Sequence, residues 1–529
     1  MTSSISSALL HVVLGLVFII FSTSLWSYLR SPTLIAIPGP LVAKFTNLWR
    51  LISAYRGLTA VYSRRLHERH GTAVRLGPNL VSLSDPKLIK TLYSFKGDYK
   101  KSAFYNASHV LSPKGHVVET QFSTQNEQYH GQVVRPIRKY YSMASLIGFE
   151  PLIDQTINNL CRRLKQEFVD GPHAGKTCDV KDWLTYFAWD TMSQISFSQT
   201  LGFLDHGSDV HDLIHGSSKF TDYVTVVGQM PRLDRYLNKN PYCRSILPQP
   251  SFAILINFSI KAMKQRQSGF DKERTEIDFL DRFFEIQATN PTEVSDNLIV
   301  AWVMNNVRAG SDTIATTISA IIYHVLKEPA VLKKLQQELD DAAVKAPVSW
   351  KTAQTLPYLG AVIQEGLRLH PAVGLPLERI VPDGGLTLPD GRFIAEKTIV
   401  GMNAWVVHHS QEVFGPDTDS FVPERWLIHD GEEEEAFRQR RAEMMAGMLS
   451  FGGGKRVCMG SNLALLEMHK VLATLFAIFD INFVDPTQEW RLKRTWFVQI
   501  EGINVTLKPR GRHADHAELA GLSGDRAGS

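Results

Sequence analysis

Cys458 stands in the run Phe451-Gly452-Gly453-Gly454-Lys455-Arg456-Val457-Cys458-Met459-Gly460, between a glycine-rich turn and an apolar stretch. From Ser461 to Asp480, Leu463, Leu466, Val471, Leu472 and Leu475 predict a buried helix that begins just after the cysteine. A thiol at such a helix start meets peptide N–H groups, the positive end of the helix dipole and Arg456, all of which favour the thiolate. As the single axial ligand of haem iron, a thiolate pushes electron density toward bound oxygen and favours O–O cleavage. Gly452, Gly453, Gly454 and Gly460 let the backbone pass close to a flat macrocycle and aim amides at the sulfur. Phe451 would shield the sulfur side from water, and Arg456 could meet a carboxylate of the cofactor. The bland alternative is an ordinary buried cysteine in a glycine loop. Five specified residues at fixed spacing make that alternative a small remainder.

A second group with chemistry in it lies inside a long apolar helix. The chain from Ser295 to Lys327 reads as one helix, with Ser295 as N-cap, Asp296 in the first turn and Pro329 after the end. Leu298, Ile299, Trp302, Val303, Ile314, Ile318, Ile321, Ile322 and Val325 make it apolar nearly all round, which places it inside a large protein. Ala309-Gly310-Ser311-Asp312-Thr313 interrupts it with residues that a core helix avoids. Local rule-breaking of this kind marks functional sites. Ala309 and Gly310 would let a planar cofactor or dioxygen approach the backbone. The Thr313 hydroxyl can hold a water, and Asp312 would pass protons through water to the distal oxygen. The structural alternative is a kinked helix whose Asp and Thr satisfy each other or solvent.

Together these motifs resemble the cytochrome P450 family of haem-thiolate monooxygenases. The cysteine loop meets every fixed position of that family's FxxGxRxCxG signature, and Ala309–Thr313 meets its (A/G)Gx(D/E)T oxygen-activation motif. The resemblance implies a mainly α fold with minor β, haem b on the Cys458 thiolate, and electrons from NADPH through NADPH-cytochrome P450 reductase. It further implies a buried ionic network of Glu365 and Arg368 with Arg425 of Pro423-Glu424-Arg425-Trp426. Glu365 and Arg368 are three apart and share a helix face, in an apolar segment stopped by Pro371. Glu435 and Arg438 have the same spacing but sit in the run Glu432-Glu433-Glu434-Glu435, a solvated face.

By the same resemblance Arg379 and Arg456 hold haem propionates, and Val373, Gly374 and Leu375 line the pocket; Gly391, Ile394, Ile399 and Val400 themselves suggest short strands, which would give the family's minor β region. One departure concerns Tyr129-His130-Gly131-Gln132-Val133-Val134-Arg135-Pro136-Ile137-Arg138. Relatives carry an aromatic or His followed four residues later by an Arg that reaches a propionate, whereas that place here is Val134 and Arg135 comes one later. His130 and Arg135 are both kept as candidate haem contacts. Arg135, Arg138, Lys139 and Lys470 could form a basic face for an acidic electron donor or be ordinary solvated surface. Phe104, Tyr105, Phe203, Phe220, Tyr223, Trp496 and Phe497 suggest a pocket for an apolar or aromatic small molecule, with core packing as the alternative. The stretches 183–210 and 228–241 look like fungal members of the pisatin-demethylase type, which points to hydroxylation or oxidative demethylation in secondary metabolism.

The whole chain fits this reading. Its 529 residues, 44% hydrophobic and 21% charged, suit a globular body with a large core. A net charge of +4 with scattered basic residues speaks against nucleic-acid binding. Four cysteines with no CxxC pair or zinc spacing suggest a cytosol-facing protein without a disulfide framework. The expected layout is a transmembrane anchor over 1–30, a proline-rich hinge over 31–40, a catalytic domain over 41–508 and a mobile tail over 509–529. About 22 apolar residues from Ala8 to Leu29 lack charge and can span a bilayer. The first basic residues follow the span and place the body in the cytosol, on the endoplasmic reticulum membrane with a single pass. The rival readings are a haem-thiolate isomerase or peroxygenase, which would more readily lack the Asp312-Thr313 pair, and a non-catalytic haem sensor, which would need a further domain.

Overall fold

The computed structural model describes residue 22 and residues 32–111, 115–246, 252–269 and 274–510. Apart from residue 22, the expected anchor over 1–30 therefore lies outside the described residues, as do positions 511–529 of the expected tail. Most of the body is helical. The longer helices are α1 (Leu48–Tyr55), α2 (Thr59–His70), α3 (Glu127–Val134), α4 (Glu150–Leu164), α5 (Val180–Phe197), α6 (Leu213–Val227), α7 (Ala253–Gln267), α8 (Phe279–Thr289), α9 (Asp296–Lys327), α10 (Pro329–Asp341), α11 (Pro357–Leu369), α12 (Glu434–Gly447) and α13 (Ser461–Ile478). The strands that matter below are β1 (Ala73–Gly77), β2 (Leu80–Leu83), β3 (Leu377–Ile380), β4 (Ile399–Met402), β5 (Phe479–Phe483), β6 (Arg491–Arg494), β7 (Val498–Glu501) and β8 (Asn504–Pro509).

Helix α9 starts where its cap predicts: the Ser295 hydroxyl accepts from Leu298 N at 3.3 Å. It runs through the centre of the core, packed chiefly on α5, and also on α7, α11 and α13. Ile299, Trp302, Val307, Ile318, Ile321 and Ile322 on α9 join Leu184, Phe187 and Ile195 of α5 and Leu466, Val471 and Phe476 of α13 in one buried cluster. Burying such side chains contributes about 1.5–3 kcal/mol each, which is why the helices with the most continuous apolar pattern take the centre. Helix α13 is also the only helix among the described residues long and apolar enough to cross a membrane, and it is mostly buried in this core.

A four-stranded sheet of order β1-β2-β4-β3 forms a second body, with β2 and β4 parallel and the other pairs antiparallel. Its faces carry Ala73, Val81, Val400 and Met402 into a smaller cluster. The stretch read as a hinge is clamped to this sheet. Leu34 and Ile37 are buried in that cluster, Arg75 N donates to Pro38 O at 2.7 Å, and a Cβ on Gly39 would lie 2.1 Å from Arg75 O. At the far end β8 pairs with β5 and with Cys178–Asp179. It continues to Pro509, and Arg510 pairs with Asp340 at 2.7 Å, so the first two positions of the expected tail are held by the body.

Candidate active site

The cysteine loop is closed on itself and tied to its neighbours by backbone hydrogen bonds. Cys458 N donates to Phe451 O at 2.8 Å, Gly452 N to Leu449 O at 2.9 Å and Val457 N to Gly454 O at 3.1 Å. Gly452 and Gly454 take φ of +67° and +61°, in the left-handed region that a side chain disfavours. Gly454 has a second reason, since a Cβ there would sit 2.4 Å from Tyr93 O. Ser450 Oγ donates to Leu367 O and His408 Nε2 takes the Leu449 amide, so the loop is hung from α11 and its following turns. Helix α13 then begins at Ser461, directly behind the cysteine.

Cys458 is enclosed by protein, and its side chain nevertheless keeps open surface. A side chain that is deep and yet accessible faces an internal space. Ala309 is exposed in the middle of α9, where the residues on either side are buried or half-buried. Thr313 lies one turn on from it, its hydroxyl donating to Ala309 O at 2.8 Å. Gly310 looks elsewhere: a Cβ on it would lie 2.4 Å from Met192 Sδ of α5, so its small size serves the helix crossing. Asp312 is held on the α5 and α6 side, accepting from Trp189 Nε1 at 3.2 Å and Ser217 Oγ at 2.9 Å. Burial pushes its pKa up, with those two hydrogen bonds and Arg308 pulling the other way.

The thiol departs from the expectation of a lowered pKa. Burial pushes Cys458 up, and the Gly460 N–H only partly offsets this. Arg456 gives no help there, because it is turned to α3, where it pairs with Glu127 at 2.8 Å and donates to Gln121 O and Thr124 O. Its charge belongs to a group of cations instead. Lys101, buried and bridged in strand fashion to Arg379, has its pKa pushed well down by burial and then by Arg379 and Arg456. Arg379 donates to Glu378 O and lies over the Tyr93 ring at 5.0 Å. His130 sits half-buried near Arg456, its pKa lowered to about 4 by burial first and by Arg456 second. Arg135 is not brought to this group: it is exposed at the end of α3.

Lys101 was missed in the sequence. It follows Lys100 in a stretch without apolar periodicity, and only its pairing with Arg379, 278 residues on, gives it meaning. Of the expected basic face, Arg135, Arg138 and Lys139 are exposed, whereas Lys470 is fully buried and pairs with Glu150 and with Asp154 at 2.8 Å. A lysine on an apolar helix is read as surface too readily when its acidic partners lie on a distant helix.

Behind the loop, Arg368 holds Glu365 in a two-pronged pair at 2.8 and 2.9 Å, both fully buried. Arg425 Nε reaches Glu365 at 3.0 Å and Trp426 Nε1 reaches its other oxygen at 2.8 Å. Arg368 also donates to the carbonyls of His408, Thr418 and Ser420, fixing the chain that follows. By contrast Arg438 and Glu435 stand 3.5 Å apart on an exposed face of α12.

Phe104, Tyr105, Phe220, Leu375 and Trp496 form a buried cluster of their own, with Tyr223, Val373 and Phe497 packed against it. Phe203 does not join them. It belongs to the main core, beside Tyr186 and Trp189, because α5 and the turn after it carry it there. Phe252, at the start of α7, takes part unforeseen.

The comparisons with known proteins decide what this arrangement is. The family model described as Cytochrome P450 matches residues 38–507. The chain belongs to the cytochrome P450 family. It is similar to cytochrome P450 monooxygenase cfoH of Aspergillus candidus, 38% identical over 475 residues, which cover 89% of this chain and 88% of that one. Cytochrome P450 monooxygenase cicH of Emericella nidulans is 36% identical over 509 residues, 94% of this chain and 98% of that one. Cytochrome P450 monooxygenase mpaDE of Penicillium roqueforti is 35% identical over 484 residues, 90% of this chain but 55% of that longer protein. This P450 is thus an oxidoreductase of the monooxygenase class, mainly helical, and its family carries haem on a cysteine thiolate.

The residues present fit that group. A flat macrocycle with an iron at its centre needs one soft ligand, an open face opposite and cations for its two carboxylates. Cys458 in its accessible recess, exposed Ala309, and Lys101, Arg379, Arg456 and His130 at one edge supply these in turn. The cations are also in excess here: among the described residues, the carboxylate paired with this group is Glu127, on Arg456.

Proposed function

We propose that the protein is a membrane-attached P450 that inserts one oxygen atom from O2 into an apolar small molecule, by hydroxylation or oxidative demethylation, in fungal secondary metabolism. Its two electrons come from NADPH through NADPH-cytochrome P450 reductase. The observation that carries the reading is the accessible Cys458 in an enclosed recess just before α13, together with the exposed Ala309 in the otherwise apolar helix α9. Bound there, haem supplies the oxygen-activating iron, and Cys458 is its ligand. Lys101, Arg379 and Arg456 neutralise its carboxylates, with His130 beside them. Ala309 leaves room at the oxygen face. Thr313 holds a water with its hydroxyl, and Asp312 lends protons to that water from the α5 side. The aromatic cluster of Phe104, Tyr105, Phe220 and Trp496 excludes bulk water and takes the apolar body of the substrate. Exposed Arg138, Lys139 and Arg135 give an acidic reductase a docking edge close to α3.

The reading is tested by reducing the purified protein under carbon monoxide. A thiolate-ligated haem gives the strongly red-shifted Soret band, and Cys458→Ser removes it; a normal-position band with Cys458 intact ends the proposal. Thr313→Ala keeps the band and lowers product formed per NADPH consumed by several-fold, whereas unchanged coupling takes Thr313 out of proton delivery.

A further inference from the structure

Arg308 carries a charge that the reaction leaves unused. It directly precedes Ala309 on α9, and its guanidinium lies 4.0 Å from the centre of the Phe252 ring and 4.7 Å from that of Phe220. The two rings meet edge to face at 5.6 Å and hold the fork between them. Phe220 belongs to the buried cluster with Phe104, Tyr105 and Trp496, and Phe252 packs against it, so Arg308 lies against that cluster, one residue before the exposed Ala309.

Among the described residues no carboxylate forms an ion pair with the guanidinium. Its Nε is buried without a hydrogen-bond partner. Asp312, one turn along, is the carboxylate that acts on it, but both Asp312 oxygens are taken by Trp189 and Ser217. Burial lowers the guanidinium pKa to about 10, which leaves it charged at neutral pH. A cation kept among aromatic rings without a partner is costly, and that cost falls when an anion arrives. Arginine's planar fork suits a carboxylate in particular, with two parallel hydrogen bonds.

Building on the monooxygenase reading, we propose that the substrate is an apolar carboxylic acid whose carboxylate pairs with Arg308 while its hydrocarbon body lies on Phe104, Phe220 and Trp496. Arg308 then sets specificity and position: with the acid held one residue from Ala309, the carbon oxidised lies on the body of the molecule, away from the carboxylate. If Arg308 only balanced Asp312, its removal would alter proton delivery and leave the choice of ligand unchanged.

The test uses the haem-loaded full chain and reads binding, not turnover. Alkyl-substituted benzoic acids and naphthoic acids, each beside its methyl ester, are titrated at neutral pH and followed by the substrate-induced Soret shift. Acids bind about ten-fold or more tightly than their esters. Arg308→Leu and Arg308→Gln bring that ratio to one or below, and Arg308→Lys keeps part of it. The carbon monoxide band, unchanged in all three variants, shows that folding and iron ligation are intact. The proposal is overturned if no acid outbinds its ester on the wild-type enzyme, or if the preference survives Arg308→Leu. Loss of the red-shifted band from the wild-type enzyme would instead overturn the haem-thiolate reading on which it rests.

Discussion

A single buried carboxyl shows how far burial alone can move chemistry in this protein. Glu467 on α13 is fully buried, neither of its oxygens has a hydrogen-bond partner, and burial raises its pKa to about 8. Between its ordinary pKa and about 8 the folded chain keeps a proton that the unfolded chain has released. Stability therefore falls as pH rises through that window, by roughly 1.4 kcal/mol per unit at most, and levels off above it. Glu467→Gln cannot ionise, so its thermal midpoint, followed by far-UV circular dichroism, gains on the wild type from about pH 5.5 to about pH 8. Parallel pH curves for the two proteins would show that Glu467 is solvated after all. The same effect reverses the simple sequence argument about Cys458. Helix position and a nearby arginine are legible in a sequence, whereas the dry recess that raises the thiol, and Glu127 that draws Arg456 away, are not. Arg308 is the converse case: nothing in its neighbours marks it, and its meaning comes from Phe220 and Phe252 on other helices.

At the scale of elements, spacing located the helices well and their purposes less evenly. Continuous apolar pattern and a serine cap placed α9 to within a residue, and the proline after His370 stopped α11 as expected. The two Glu-x-x-Arg pairs, identical in spacing, were separated by their surroundings alone, one in an apolar helix and one in a charged run. What the sequence could not show is how many groups converge on the first pair. Glu365 accepts from Arg368, Arg425, Trp426 Nε1 and Val422 N, the last two lying 61 and 57 residues away. Removing that carboxylate strands two buried guanidinium groups and costs about 3–5 kcal/mol. Glu365→Gln accordingly yields little folded haem protein, judged by haem content and thermal midpoint, while Arg438→Ala on exposed α12 shifts the midpoint by about the scatter of surface substitutions. Similar losses from both variants would mean that the buried network contributes no more than a surface pair. The small residues of α9 divide in the same way: Ala309 is small for the open face and Gly310 for contact with Met192, a distinction that needs the rotation of the helix against α5.

The molecule as a whole presents one apolar side that its fold does not cover. Leu48, Ile52 and Tyr55 are spaced four and three apart on α1, and all three are exposed, Tyr55 by 71%. Helix α1 packs on α6. After α6 the chain adds Leu233, Tyr236 and Tyr242, the last 82% exposed. Between these segments lies a cavity of about 380 Å³ lined by Ala54, Tyr55, Val226, Val227 and Leu237, with the Lys493–Asp222 ion pair in its wall. Exposed apolar side chains beside a mainly apolar cavity suit a face that would rest in the lipid interface and admit a lipid-dissolved substrate from it. Attachment would then have two sources, the apolar stretch before residue 30 and this face. A chain lacking residues 1–31 should still sediment with neutral phosphatidylcholine vesicles, and Tyr55→Asp with Tyr242→Asp should release it, with the carbon monoxide band unchanged to show that the fold survives. A truncated wild-type chain that stays in the supernatant would leave the leading segment as the sole attachment. The cavity would then be an opening to water, and the substrate would have to be soluble enough to arrive through it.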